Sequence, residues 1–69
     1  MKFREFIAII EQHGFGLTRT DGSHRRYEGV VRGRTELITV AYHRASDDIL
    51  PRTLASMIRQ SGLPKRLFR

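Results

Sequence analysis

Asp21-Gly22 stands between two short segments of alternating character, and it commits the first half of the chain to an antiparallel hairpin. Before it, Phe15, Leu17 and Arg19 alternate with Gly16, Thr18 and Thr20, the period-two pattern of a strand. After it, a second strand is expected from Ser23 to about Val31. Arg32-Gly33-Arg34 reads as a second, looser turn, and Gly29 and Gly33 read as turn glycines. Leu37-Ile38-Thr39-Val40-Ala41-Tyr42 is rich in β-branched and aromatic residues, which suits a third strand. Ile38, Val40 and Tyr42 are bulkier than Leu37, Thr39 and Ala41, so they form the expected core-facing set.

Helical spacing flanks these strands. Phe3, Phe6, Ile7 and Ile10 fall at i, i+3, i+4 and i+7, one apolar stripe, and Gly14 suits the residue that ends a helix. A first helix is expected from about Lys2 to His13. His43 to Ile49 reads as a loop. Pro51 suits a first helical turn, where its missing N–H is not needed. Leu54, Met57 and Ile58 give the next stripe, Gly62 closes it, and Leu63 is placed to pack back on it. The predicted order is α-β-β-β-α. This is an α+β fold of two layers: a three-stranded antiparallel sheet with two helices on one face. The domain is expected over residues 1–63, with 64–69 a basic C-terminal tail. The other sheet face is left open, and function is expected there.

Length and charge narrow the class of partner. A chain of 69 residues is one domain, and it buries only about 60% of the surface its unfolded form exposes. It has no cysteine, which removes disulfides and thiolate metal ligands and leans toward a reducing compartment. No apolar run approaches the ~20 residues of a membrane span, and no signal-peptide block opens the chain. The expected setting is soluble and cytoplasmic. Thirteen Lys and Arg stand against seven Asp and Glu, for a net charge of +6. All of these bases except Lys2 and Lys65 are Arg, whose planar fork grips phosphate at two points. A small, Arg-rich, strongly basic domain points to nucleic acid. A membrane-surface helix is disfavoured because the bases are spread along the chain.

One segment has the makings of chemistry: Asp21-Gly22-Ser23-His24-Arg25-Arg26-Tyr27. In a strand, Ser23, Arg25 and Tyr27 share one face, and His24, Arg26 and Glu28 the other. Tyr27 is the natural core residue, so His24 and Arg26 point outward and Arg25 lies near the sheet edge. A bulge near the turn would shift this register. RNA carries its own nucleophile, the 2′-hydroxyl. One imidazole to take its proton and a guanidinium to stabilise the charged transition state make a sufficient minimal machine. A lone strand histidine is, taken by itself, most often a polar surface residue. His13, near a helix C-terminus, and His43, at a strand end, read as structural. No His, Asp or Glu spacing matches a zinc or two-metal site, and no Gly-rich phosphate loop precedes a helix. No metal or cofactor is expected.

Four segments in order carry a resemblance: the helix ending in His13-Gly14-Phe15; Thr20-Asp21-Gly22-Ser23-His24 with Tyr27; Leu37 to Val40 with Tyr42-His43; and Leu50-Pro51-Arg52-Thr53-Leu54 through Ile58 to Ser61-Gly62-Leu63. Each is weak alone. Together, across nearly the whole chain, they resemble the HicA (YcfA-like) toxin family. The resemblance implies a fold like that of double-stranded-RNA-binding domains and an mRNA interferase, a metal-independent endoribonuclease. It implies His24 as the catalytic residue and a HicB-type antitoxin as the partner that covers the catalytic face. The toxin is expected to be a monomer when free and part of a hetero-oligomer with the antitoxin. Arg25, Arg26, Ser23 and Lys2 are the candidate RNA-binding residues. The chain departs from the family in its two arginines after the histidine and in its Lys65–Arg69 extension. The competing reading is a non-catalytic module that recognises double-stranded or structured RNA through its basic face.

Overall fold

The computed structural model describes residues 1–69, and its first element is the helix the apolar stripe predicts. Helix α1, Phe3–Gln12, buries Phe3, Phe6 and Ile10. Its N-cap residue, Lys2, has no side-chain acceptor to offer the helix's free N–H groups. The loop before the second helix supplies acceptors instead. The Phe3 N–H donates to the Asp47 carbonyl at 3.1 Å and the Arg4 N–H to the Ala45 carbonyl at 3.0 Å. The Glu5 carboxylate accepts from the Lys2 N–H at 2.7 Å and places a negative charge in the first turn, where the helix dipole favours it. Gly14, in the left-handed region at φ 90°, ends the helix as expected.

Three strands follow: β1, Gly16–Asp21; β2, His24–Val31; and β3, Arg34–Ala41. They form one antiparallel sheet in the order β1-β2-β3. Both connections are two-residue turns. In the first, Asp21 pairs with His24 and the turn residues are Gly22 and Ser23, with Gly22 at φ 61°. In the second, Arg32 and Gly33 have φ of 54° and 79°, the double left-handed geometry whose twist matches that of the strands. This turn is tighter than the sequence suggests. β3 consequently starts three residues earlier than the Leu37 expected from composition.

Helix α2, Pro51–Ser61, completes the predicted α-β-β-β-α order, with Pro51 in its first turn and Gly62 as a left-handed cap. Both helices lie against the face from which Tyr27, Ile38 and Val40 project. Ser61 is fully buried. Its hydroxyl donates to the Ile58 carbonyl at 2.6 Å and accepts from the Leu63 N–H at 3.0 Å. No helix is long and apolar enough to cross a membrane.

Two elements depart from the sequence reading. Gly29 is not a turn residue. It lies inside β2 on the core side, directly beneath the ring of Phe15, and a Cβ there would stand 2.7 Å from the ring. The glycine makes room for an aromatic residue just ahead of β1. The basic tail also packs on the domain. Lys65–Phe68 form a 3₁₀ turn, and Phe68, 6% exposed, stacks on Phe6 at 5.2 Å between ring centroids. From sequence, Leu63 is the last expected core position, because Pro64 and three bases around two apolar residues do not resemble a core segment.

The apolar core has only ten buried residues, so each carries a large share of the stability. Phe68→Ala should therefore lower unfolding free energy by about 3 kcal/mol, as read from the urea midpoint. Gly29→Ala forces the Phe15 ring out of place and should cost about 1–3 kcal/mol in the same measurement.

Candidate functional site

The open face of the sheet is defined by what the other face buries. Tyr27 is 2% exposed and points to the helices. Side chains alternate along a strand, so Arg26 and His24, one and three residues away, must point outward. Both are exposed. β3 adds Thr39, directly opposite Arg26 in the register.

β1 would be expected to follow the same alternation from Leu17, which pairs with Tyr27. The register slips, however, between Leu17 and Arg19. This bulge inserts Thr18 as an extra residue, whose hydroxyl donates to the Arg26 carbonyl at 3.2 Å. Beyond it, Arg19 pairs with Arg26 and Asp21 with His24. Arg19 and Asp21 therefore share the open face. The five side chains Arg19, Asp21, His24, Arg26 and Thr39 line a polar cleft of about 330 Å³, with no apolar residue among them.

The same face changes character toward the β2–β3 turn. Val30 is 65% exposed and Leu37 46% exposed, and both project from the open side. The sheet thus presents a basic cleft around the first turn and, at its other end, two exposed aliphatic side chains with Glu28 directly opposite Leu37.

The residues singled out in the sequence fall into two groups. His24 and Arg26 lie together in the cleft. Arg25 does not join them. It occupies the opposite face, with its guanidinium 3.7 Å above the Tyr42 ring, and the Tyr42 ring in turn meets Phe3 edge-on at 5.5 Å. Ser23 sits in the turn, where its carbonyl accepts from the Tyr42 N–H at 2.8 Å and ties the turn to the end of β3. Lys2 belongs to the start of α1. Its ammonium donates to the Ser46 carbonyl at 3.0 Å and lies near the Asp48 carboxylate. It links the N-terminus to the loop before α2. His13 caps α1, with Nδ1 2.9 Å from the Ile9 carbonyl, and the exposed His43 ring lies edge-on to Phe3.

Arg19, Asp21 and Thr39 lie in the cleft without being marked by the sequence motifs, although taking Ile38 and Val40 as core residues already turns Thr39 outward. Asp21 had a readable signal. With Gly22 and Ser23 taken as the two turn residues, Asp21 and His24 are necessarily a cross-strand pair. Arg19 had none, since strict alternation puts it on the face of Leu17 and nothing in Leu17-Thr18-Arg19 announces a bulge.

A family model described as the HicA toxin of bacterial toxin-antitoxin matches residues 3–63. That span runs from α1 through the cleft strands to the end of α2. No curated protein and no solved structure matches the chain.

The position of Arg25 has a measurable consequence. Arg25→Ala removes a cation–aromatic contact on the helix side of the sheet, so it should lower stability by about 0.5–1 kcal/mol in urea unfolding.

Proposed function

The chain belongs to the HicA toxin family, and from that premise we propose that it is an mRNA interferase whose catalytic residue is His24. As a member it is the toxin of a toxin–antitoxin system. The observation that carries the finer reading is the grouping of His24 with arginine in a polar cleft on the open sheet face. An exposed imidazole beside guanidinium groups suits a substrate that is anionic and brings its own nucleophile.

The reaction needs no outside reactant. The 2′-hydroxyl of one nucleotide attacks the adjoining phosphorus, and the P–O5′ bond breaks as the P–O2′ bond forms. His24 takes the 2′-hydroxyl proton; the departing 5′-oxygen takes a proton from water, and His24 afterwards returns its proton to water, so the protons balance. The products are a 2′,3′-cyclic phosphate and a 5′-hydroxyl end. Arg26 sits where it can stabilise the extra negative charge on the phosphoryl oxygens at the transition state. An imidazole can serve as both proton acceptor and proton donor in such a step. One such group is typically worth about 10²- to 10⁴-fold.

The charge balance also suits an antitoxin of opposite sign. A chain of net charge +6 attracts an acidic partner, and charge complementarity speeds encounter. A HicB-type antitoxin seated on the open face would exclude RNA from the cleft, and that exclusion is the neutralisation we propose.

The test is cleavage of a purified mRNA in the presence of EDTA. Wild-type protein should cut it and leave cyclic-phosphate ends, and His24→Ala should lose at least 10²-fold in rate while still binding RNA. RNA bound but uncut by the wild type would replace this reading with that of a non-catalytic RNA-binding module.

A further inference from the structure

Arg19 and Arg26 stand directly opposite one another on neighbouring strands. Like charges at paired positions of an antiparallel sheet are destabilising. No carboxylate relieves them, because both ion pairs of the chain involve Asp48, in the loop before α2. Glu28, the next residue along β2 on the open side, is paired with neither. Asp21, the one carboxylate in the cleft, stands across from His24 and makes no ion pair.

The opposition is also built by an irregularity. Without the extra residue at Thr18, Arg19 would fall on the side of Leu17 and the helices. The bulge gives up regular pairing at Thr18 and, in return, sets a second guanidinium beside the first. Two forks, one on each strand, with His24 two residues from Arg26 on the same side, form a concave polar surface that matches a phosphodiester. An anion between the two guanidiniums converts a repulsive pair into a bridged one.

Resting on the reading of this face as an RNA site, we propose that Arg19 is a second phosphate-gripping residue. It works as a pair with Arg26 on the RNA backbone beside His24, and the β1 bulge is the device that brings it there. Arg19 then touches substrate, so it contributes to binding and to stabilising the transition state. The division of labour follows from position. Arg26 shares a strand with His24, while Arg19 approaches the phosphate from the other strand and closes the clamp.

Two measurements test the pairing. The first is the affinity of a short single-stranded RNA for His24→Ala protein across a salt series, with and without Arg19→Ala. Each phosphate contact adds about 0.7 to the slope of log affinity against log salt for single strands, so Arg19→Ala should reduce the slope by about that amount. Arg19→Lys should keep the slope, and Arg4→Ala, an exposed arginine on α1, should leave affinity at a given salt close to that of the parent. The second is cleavage with His24 intact. Arg19→Ala should lower kcat/KM by about 10- to 100-fold, the range for losing a hydrogen bond to a charged group, and Arg19→Lys should recover part of it.

An unchanged slope with RNA still bound overturns the role of Arg19 and leaves the site reading standing. That role is equally overturned if Arg4→Ala weakens binding as much as Arg19→Ala, since RNA then responds only to net charge. It also falls if Arg19→Ala spares RNA binding and weakens only antitoxin binding. Failure of the wild type to bind RNA at all removes the site reading itself.

Discussion

The β2 side chains of the open face depend on the direction of one core residue. Tyr27 enters the core between the sheet and the helices, and a strand's period of two then fixes the side on which each neighbour emerges. A slip of one residue in β2 would expose the tyrosine, bury His24 and Arg26, and lose the apolar contacts of Ile38 and Val40 with their neighbours. The desolvation of an arginine and an imidazole makes that alternative costly. The register is therefore held by the core, and the cleft inherits its geometry from a residue that takes no part in it.

What the sequence revealed, and what it hid, follows from the range of the forces involved. The helix stripe of Phe3, Phe6 and Ile10 and the alternation around Tyr27 are local patterns, and both stand in the structure as read. His24 and Arg26 were legible for the same reason. Features set by contacts between distant segments were not. Gly29 looks like a turn residue until Phe15 is placed above it, and Phe68 looks like a tail residue until Phe6 is placed beneath it. The bulge at Thr18 is of this kind as well. It is visible only when β1 is laid against β2, and it alone decides that Arg19 joins the cleft.

The thinness of the fold and the openness of its site have one origin. Two helices suffice to cover one face of three strands, and a chain this short has no third layer for the other. β1 contributes no buried residue, yet it supplies two of the five cleft side chains. An edge strand that carries little of the core is free to accept an irregular register. The same bulge within β2 would have displaced Tyr27. The open face can therefore be tuned through β1 with little loss of stability, whereas changes in β2 act on both at once.

The surface we assign to RNA is also the surface a neutralising partner has most reason to cover. The basic cleft lies at one end of it, and the exposed aliphatic side chains of Val30 and Leu37 at the other. A polyanion engages the first end mainly through phosphate, so its grip weakens steeply as salt rises. A folded protein can engage both ends, and the part of its affinity that comes from covering Val30 and Leu37 is nearly independent of salt. Raising the salt thus shifts competition for this face toward the protein partner. The difference arises from the sheet itself: alternation in β2 and the bulge in β1 gather histidine and arginine at one end of the open face, and two exposed aliphatic side chains, Val30 and Leu37, stand at the other.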